Sequence, residues 1–133
     1  MPLKAIRLEL ARDPDHPQGS SQFGYEFLAP IDEDGHIDAD AWRENRKSCR
    51  VWRFWAGEDD EYGHLVHTRS GSWAFHYDIA GDPDEDEAGF RFDSHRFTEG
   101  EYVSLREQDG ELRTFRVVSI RPAITSRLAV APT

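Results

Sequence analysis

Turn-forming residues divide this chain into short segments at nearly regular intervals, and that spacing limits what it can fold into. The segments between the turns are rich in β-branched and aromatic residues, as strands are. Residues 4–12 show the pattern most clearly, because Ile6, Leu8 and Leu10 alternate with polar neighbours on a period of two. The chain is therefore predicted to be mainly β.

The predicted elements amount to eight short strands and one short helix. The other seven strands are expected at residues 22–28, 49–56, 63–68, 72–79, 89–93, 101–107 and 111–120. The helix is expected at about residues 39–47, capped by Asp38 or Asp40, with Trp42 packed on the sheet. We expect this helix to cover the outer side of the strand at 49–56, which is bulky on both faces. A single domain of residues 1–133, folded as a small antiparallel or mixed β-barrel or a curved sheet, fits this pattern.

The register of the last hairpin follows from its two faces. A two-residue turn at Asp109 and Gly110 would place apolar side chains opposite polar ones. A three-residue turn with Gly110 in the left-handed conformation instead pairs Val103 with Phe115. The sequence therefore predicts the longer, bulged turn.

Charge is concentrated in one third of the chain. Residues 58–101 contain 13 of the 26 carboxylates, against three arginines, and so account for a formal charge of −10, which is also that of the whole chain. Such a protein repels polyanions at long range, which argues against nucleic acid and anionic membranes as partners. No apolar run is long enough to span a bilayer, and Cys49 has no second cysteine with which to form a disulfide. These features predict a cytoplasmic protein.

Two acidic loops within residues 58–101 are the first candidate binding site. Mutual repulsion is expected to keep their side chains solvated, which by itself would serve solubility. The leading hypothesis is a non-enzymatic binding domain, without a cofactor, whose acidic loops contact a basic protein surface or a small ligand. The candidate residues are Asp59, Asp60, Glu61, Asp84, Glu85 and Asp86.

The alternative hypothesis is a metal-dependent enzyme or metal sensor built on the hairpin at residues 63–79. If Thr68 pairs with Trp73, then His67, His76 and Asp78 share one strand face. If Thr68 pairs instead with Ser72, His67 lies on the other face. Two imidazoles and a carboxylate, with His95 as a possible fourth ligand, would suit one divalent transition metal.

Three segments carry a resemblance to other proteins. They are residues 34–38 (Asp-Gly-His-Ile-Asp), residues 95–104 (His-Arg-Phe-Thr-Glu-Gly-Glu-Tyr-Val-Ser) and residues 109–119, from Asp-Gly to Thr-Phe-Arg-Val-Val-Ser. Together they resemble an uncharacterised family of short bacterial proteins. The resemblance implies a bacterial source and brings no activity, cofactor or catalytic residue.

Overall fold

The protein is a small, mainly β structure, and its described residues include one α-helix. A computed structural model describes residues 2–69, 71–77, 87–90, 92, 96–107 and 109–129, with the backbone alone for 87–90. Its strands are β1 (Leu3–Leu10), β2 (Ser20–Pro30), β3 (Arg50–Trp55), β4 (Glu61–His67), β5 (Trp73–Tyr77), β6 (Glu87–Phe90), β7 (Tyr102–Arg106) and β8 (Leu112–Pro122). The helix α1 (Ala39–Asn45) lies between β2 and β3. The fold class expected from the sequence is confirmed.

The sheet closes on itself as an antiparallel barrel. Each strand pairs with the next one along the chain, and β8 returns to pair with β1, where Lys4 lies opposite Pro122. The register of β1 shifts twice, against β2 between Glu9 and Leu10 and against β8 between Arg7 and Leu8. Such bulges increase the local twist and bend, which helps a sheet of short strands to close.

Alternation along the strands decides which side chains fill the barrel. Ile6, Leu8 and Leu10 all point inward and are buried, as the period of two in β1 predicted. The interior is dominated by aromatic rings, and its largest fully buried members include Tyr25, Phe27, Phe75, Phe92, Phe97 and Phe115. Rings of this size fill a small barrel with few side chains.

Helix α1 packs against one end of the barrel. It begins at Asp38, whose side chain accepts a hydrogen bond from the Ala41 amide at 2.9 Å, as one of the two expected caps. The indole of Trp42 is buried and donates to the Leu65 carbonyl at 2.9 Å, so the predicted packing of Trp42 on the sheet is confirmed. The helix ends at Asn45, before the predicted limit of 47. In the described part of the chain, no helix combines the length and apolar character needed to cross a membrane.

The outer face of β3 is covered by a different element from the one predicted. Residues 123–129, here called the C-terminal segment, form two short 3-10 turns, and Leu128 is buried on the outside of the barrel with Ala5 and Leu28. The guanidinium of Arg127 lies 3.8 Å from the ring centre of Trp52. The prediction that α1 covers this face is wrong, because α1 is too short to extend beyond its end of the barrel.

The predicted register of the last hairpin is confirmed. Val103 lies opposite Phe115 in β7 and β8, and Gly110 has a φ of 84°. Strand boundaries agree less closely. The main differences are in β2, which is longer at both ends than residues 22–28, and in β6, which begins at Glu87 and not at residue 89.

Candidate functional site

Carboxylates from three connections meet at one end of the barrel. Antiparallel pairing of successive strands places alternate connections at opposite ends, so residues 11–19, 56–60 and 107–111 share an end, which we call the acidic end. The carboxylates of these connections, with the adjoining Glu61, are Asp13, Asp15, Glu58, Asp59, Asp60, Glu61, Glu107, Asp109 and Glu111. Helix α1 lies at the opposite end. The fold thus gathers acids that are far apart in sequence.

A buried polar cluster underlies the acidic end. The hydroxyl of Tyr25 donates to Oε2 of Glu107 at 2.5 Å, and Nε of Arg53 lies 3.7 Å from the same oxygen. Both charged residues are almost fully buried, Arg53 at 8% exposure and Glu107 at 4%. Among the described residues, Oε1 of Glu107 finds no hydrogen-bond partner. A buried ion pair of this kind is expected to fix geometry more than to add stability.

Arg53 links this cluster to the β3–β4 connection. Its Nη1 donates to Glu58 at 3.2 Å and lies 3.4 Å from a carboxylate oxygen of Glu61. The guanidinium also lies 4.4 Å from the ring centre of Trp55, the last residue of β3. The acidic connection is therefore held against the barrel by one arginine that reaches out from the interior.

A second arginine organises the β7–β8 turn. Arg113 donates to Asp109 through Nη2 at 3.1 Å and to Glu111 at 3.2 Å. The hydrogen bond from Arg113, followed by one from the Glu111 amide, lowers the pKa of Asp109 below its ordinary value. Asp109 therefore keeps its negative charge to a lower pH than a free aspartate does.

The predicted acidic residues fall into two groups. Asp59 and Asp60 are exposed at the acidic end, and Glu61 is half buried beside Arg53. The predicted residues Asp84, Glu85 and Asp86 lie outside the described part of the chain.

Two of the predicted metal ligands, His67 and His76, lie on opposite faces of their hairpin. Thr68 pairs with Ser72, which places His67 opposite Trp73 and His76 opposite His64. The expectation that His67 and His76 share a strand face is therefore wrong. That arrangement required Thr68 to pair with Trp73, and a shift of one residue moves a side chain to the other face of a strand. Asp78 and His95 lie outside the described residues. Within the described residues, no three histidine, cysteine or acidic side chains cluster as a metal site.

His67 instead belongs to an aromatic cluster beside α1. Its ring stacks on Trp73 with centroids 4.1 Å apart and meets Trp42 edge-on at 5.9 Å. Its Nε2 lies 3.1 Å from the Gly71 carbonyl oxygen, which makes Nε2–H the donor. These contacts explain why Thr68 pairs with Ser72, since this pairing lets His67 stack on the buried indole of Trp73.

Sequence reasoning missed Tyr25, Arg53 and Glu107. The available signal was the position of Arg53, which alternates with Val51 and Trp55 on a strand whose inward positions are otherwise apolar. A charged residue at an inward position requires a buried partner. Glu107, next to a turn, carried no comparable signal.

The comparisons with known proteins give no identification. No protein-family model, no curated protein and no solved structure matches the chain significantly.

Proposed function

We propose that this chain is a non-enzymatic binding domain whose acidic end docks a basic surface of another protein. The observation that carries the proposal is the gathering of three acidic connections at one end of the barrel, two of them held by arginines. Because two of the three connections are anchored, binding would require little ordering of those two. A concentrated negative field would also accelerate encounter with a cationic partner.

The charges at this end suit binding better than bond-making chemistry. Asp59 and Asp60 are exposed carboxylates, and the Arg113 hydrogen bond lowers the pKa of Asp109 below its ordinary value. The thiol of Cys49 is buried, which raises its pKa to about 12 and suppresses its reactivity. We therefore propose a partner rich in Lys and Arg. A cytoplasmic location of the complex is part of the same proposal.

Salt and matched variants test this proposal. The protein is immobilised and used to capture binding proteins from an extract at about 50 mM and about 500 mM salt, a range that strongly changes screening. We expect a basic protein to be retained at low salt and released at high salt. An Asp59→Asn, Asp60→Asn double variant should retain it at least several-fold more weakly.

The control removes two equally exposed charges at the other end of the barrel. Glu33→Gln with Asp34→Asn changes the net charge by the same amount, in the connection between β2 and α1. This variant should retain the partner as the wild type does. Equal loss in both double variants, or no salt-sensitive partner at all, would reject docking by the acidic end.

A further inference from the structure

A groove between α1 and β4 carries positive charge although the protein as a whole is acidic. It is a cavity of about 450 Å³ at the end of the barrel opposite the acidic end, within the size range of small-molecule sites. The described residues that line it are Trp42, Arg46, Lys47, His64, Leu65, Val66 and His67. None of these lining residues is a carboxylate, although the chain carries 26 of them.

The cations of the groove come from the end of α1. Arg46 and Lys47 follow the last residue of the helix, and both side chains are exposed. The guanidinium of Arg46 lies 5.4 Å from the ring centre of Trp42, so an indole face supports it at the rim. An arginine held in this way presents its N–H groups to a ligand at low entropic cost.

The helix end adds little opposing charge to these cations. The amide of Cys49 is shared between the carbonyl oxygens of Asn45 and Arg46, and the Ser48 amide also donates to Asn45. These bonds satisfy carbonyls that would otherwise repel an anion at the C-terminal end of a helix.

The backbone of β4 supplies a further donor. The amide of Leu65 donates to Cys49 at 2.8 Å and its carbonyl accepts from the Trp42 indole, so both groups of Leu65 point to the side of β4 on which Trp42 and Cys49 lie. Backbone groups of a strand alternate in direction, and Thr68 donates to Ser72 on the β5 side. The amide of His67 therefore points to the same side of β4 as that of Leu65, which is the side of the groove.

We propose that this groove binds the oxyanion group of a small organic molecule, either a phosphate or a carboxylate. Arg46 and Lys47 would pair with the charge, the His67 amide would donate to one oxygen, and Trp42 and Val66 would contact the apolar part of the molecule. This site and the proposed docking of a basic protein lie at opposite ends of the barrel and stand on separate observations.

Titration of the isotope-labelled protein tests the site. Inorganic phosphate, phenyl phosphate, acetate and benzoate are added in separate experiments at constant ionic strength, while the amide signal of His67 and the indole signal of Trp42 are followed by NMR. We expect saturable shifts of both signals, with tighter binding of phenyl phosphate or benzoate than of the matching anion without a ring. The phosphate and carboxylate arms decide which oxyanion is preferred, and saturation in either arm supports the site.

Two double variants separate a built site from general attraction of anions. Arg46→Gln with Lys47→Gln should weaken the tightest of these probes at least about tenfold, because charge-assisted hydrogen bonds are lost. Arg106→Gln with Arg116→Gln removes the same charge from exposed positions on β7 and β8 and should leave the affinity unchanged. All four side chains are exposed, so both variants should fold. Absence of saturable shifts with every probe, or equal weakening in the two variants, would overturn the inference.

Discussion

The buried hydroxyl of Tyr25 is the direct hydrogen-bond donor to a carboxylate that has lost nearly all contact with solvent. Removing it with Tyr25→Phe takes this donor away from Oε2 of Glu107, which then keeps the contact with Arg53 at 3.7 Å. We expect the free energy of unfolding to fall by about 1–3 kcal/mol, the usual cost of an unsatisfied buried group. Urea denaturation of the wild type and the variant measures the difference.

Tyr62→Phe provides the control for that measurement. The Tyr62 hydroxyl meets Arg127 in an exposed bond of 3.4 Å, so its loss should change the free energy of unfolding by less than about 0.5 kcal/mol. Equal effects of the two substitutions would mean that the buried hydroxyl has no special role.

Cys49 should make the stability of the protein depend on pH in the alkaline range. Burial raises the pKa of its thiol from 9.0 to about 12. Above pH 9 an unfolded thiol loses its proton while the folded one keeps it. Ionisation therefore stabilises the unfolded state, and the free energy of unfolding falls as the pH rises. This contribution to stability is complete below pH 9 and is lost as the pH approaches 12.

A Cys49→Ala variant isolates this effect from other groups that titrate in the same range. Denaturation at about pH 8 and about pH 11 should show a larger loss of unfolding free energy in the wild type, by about 1 kcal/mol or more. Parallel pH profiles would show that the thiol ionises equally in both states. The native thiol should also resist a thiol-specific reagent until urea unfolds the chain.

At the scale of elements, two turn and strand positions require glycine for different reasons, one for its backbone conformation and the other for lack of space. Gly110 has a φ of 84° and open space around it, whereas a Cβ at Gly63 would collide with the carbonyl oxygen of His76 on β5. Gly110→Ala should therefore cost about 1 kcal/mol through conformation alone. Gly63→Ala should cost more, because β4 and β5 must separate to admit the methyl group. Thermal or urea denaturation of the two variants ranks them, and the reverse order would contradict the close approach of these strands.

The hairpins also show where prediction from sequence succeeds. In β7 and β8 only one register buries Val103, Leu105 and Phe115 together. The alternation of apolar and polar residues was therefore enough to predict the pairing. In β4 and β5 both registers gave an aromatic inner face, and the position of His67 stayed ambiguous. Its stacking on Trp73, with the bond between the Thr68 and Ser72 hydroxyls at 2.7 Å, settled the turn. A tertiary contact of this kind has no periodic signature.

The residues that come together at each end of the barrel could not be predicted from the sequence. Asp59 and Asp60 were recognised as a local run of acids, but their position at the same end of the barrel as Asp109 and Asp13 depends on strand order. Likewise, the sequence places Arg46 and Lys47 near the end of the predicted helix and indicates nothing of what lies beside them. Their position beside β4 follows from the route that residues 46–49 take across the end of the barrel. Sites assembled from several connections require topology, which no single segment encodes.

At the scale of the whole molecule, the uneven charge should cost stability at low salt. The exposed carboxylates of the acidic end repel one another over distances that salt readily screens. The Asp59→Asn, Asp60→Asn variant should therefore be more stable than the wild type by a few tenths to about 1 kcal/mol at about 20 mM salt. The gain should largely disappear at about 500 mM salt. Urea denaturation at both concentrations measures it, and a variant that is less stable at low salt would show that these acids make favourable local contacts instead.

The pairing of β1 with β8 has a consequence for the order of folding. The barrel closes through contacts between Lys4 and Pro122, near opposite ends of the sequence. Contacts of such long sequence separation are slow to form, because the intervening chain must first lose much of its entropy. During synthesis, β1 leaves the ribosome well before β8 and lacks this neighbour until residues 112–122 have emerged. Its backbone groups on that side stay open to pairing with other chains for this interval, so the nascent chain is most vulnerable to aggregation just before β8 arrives.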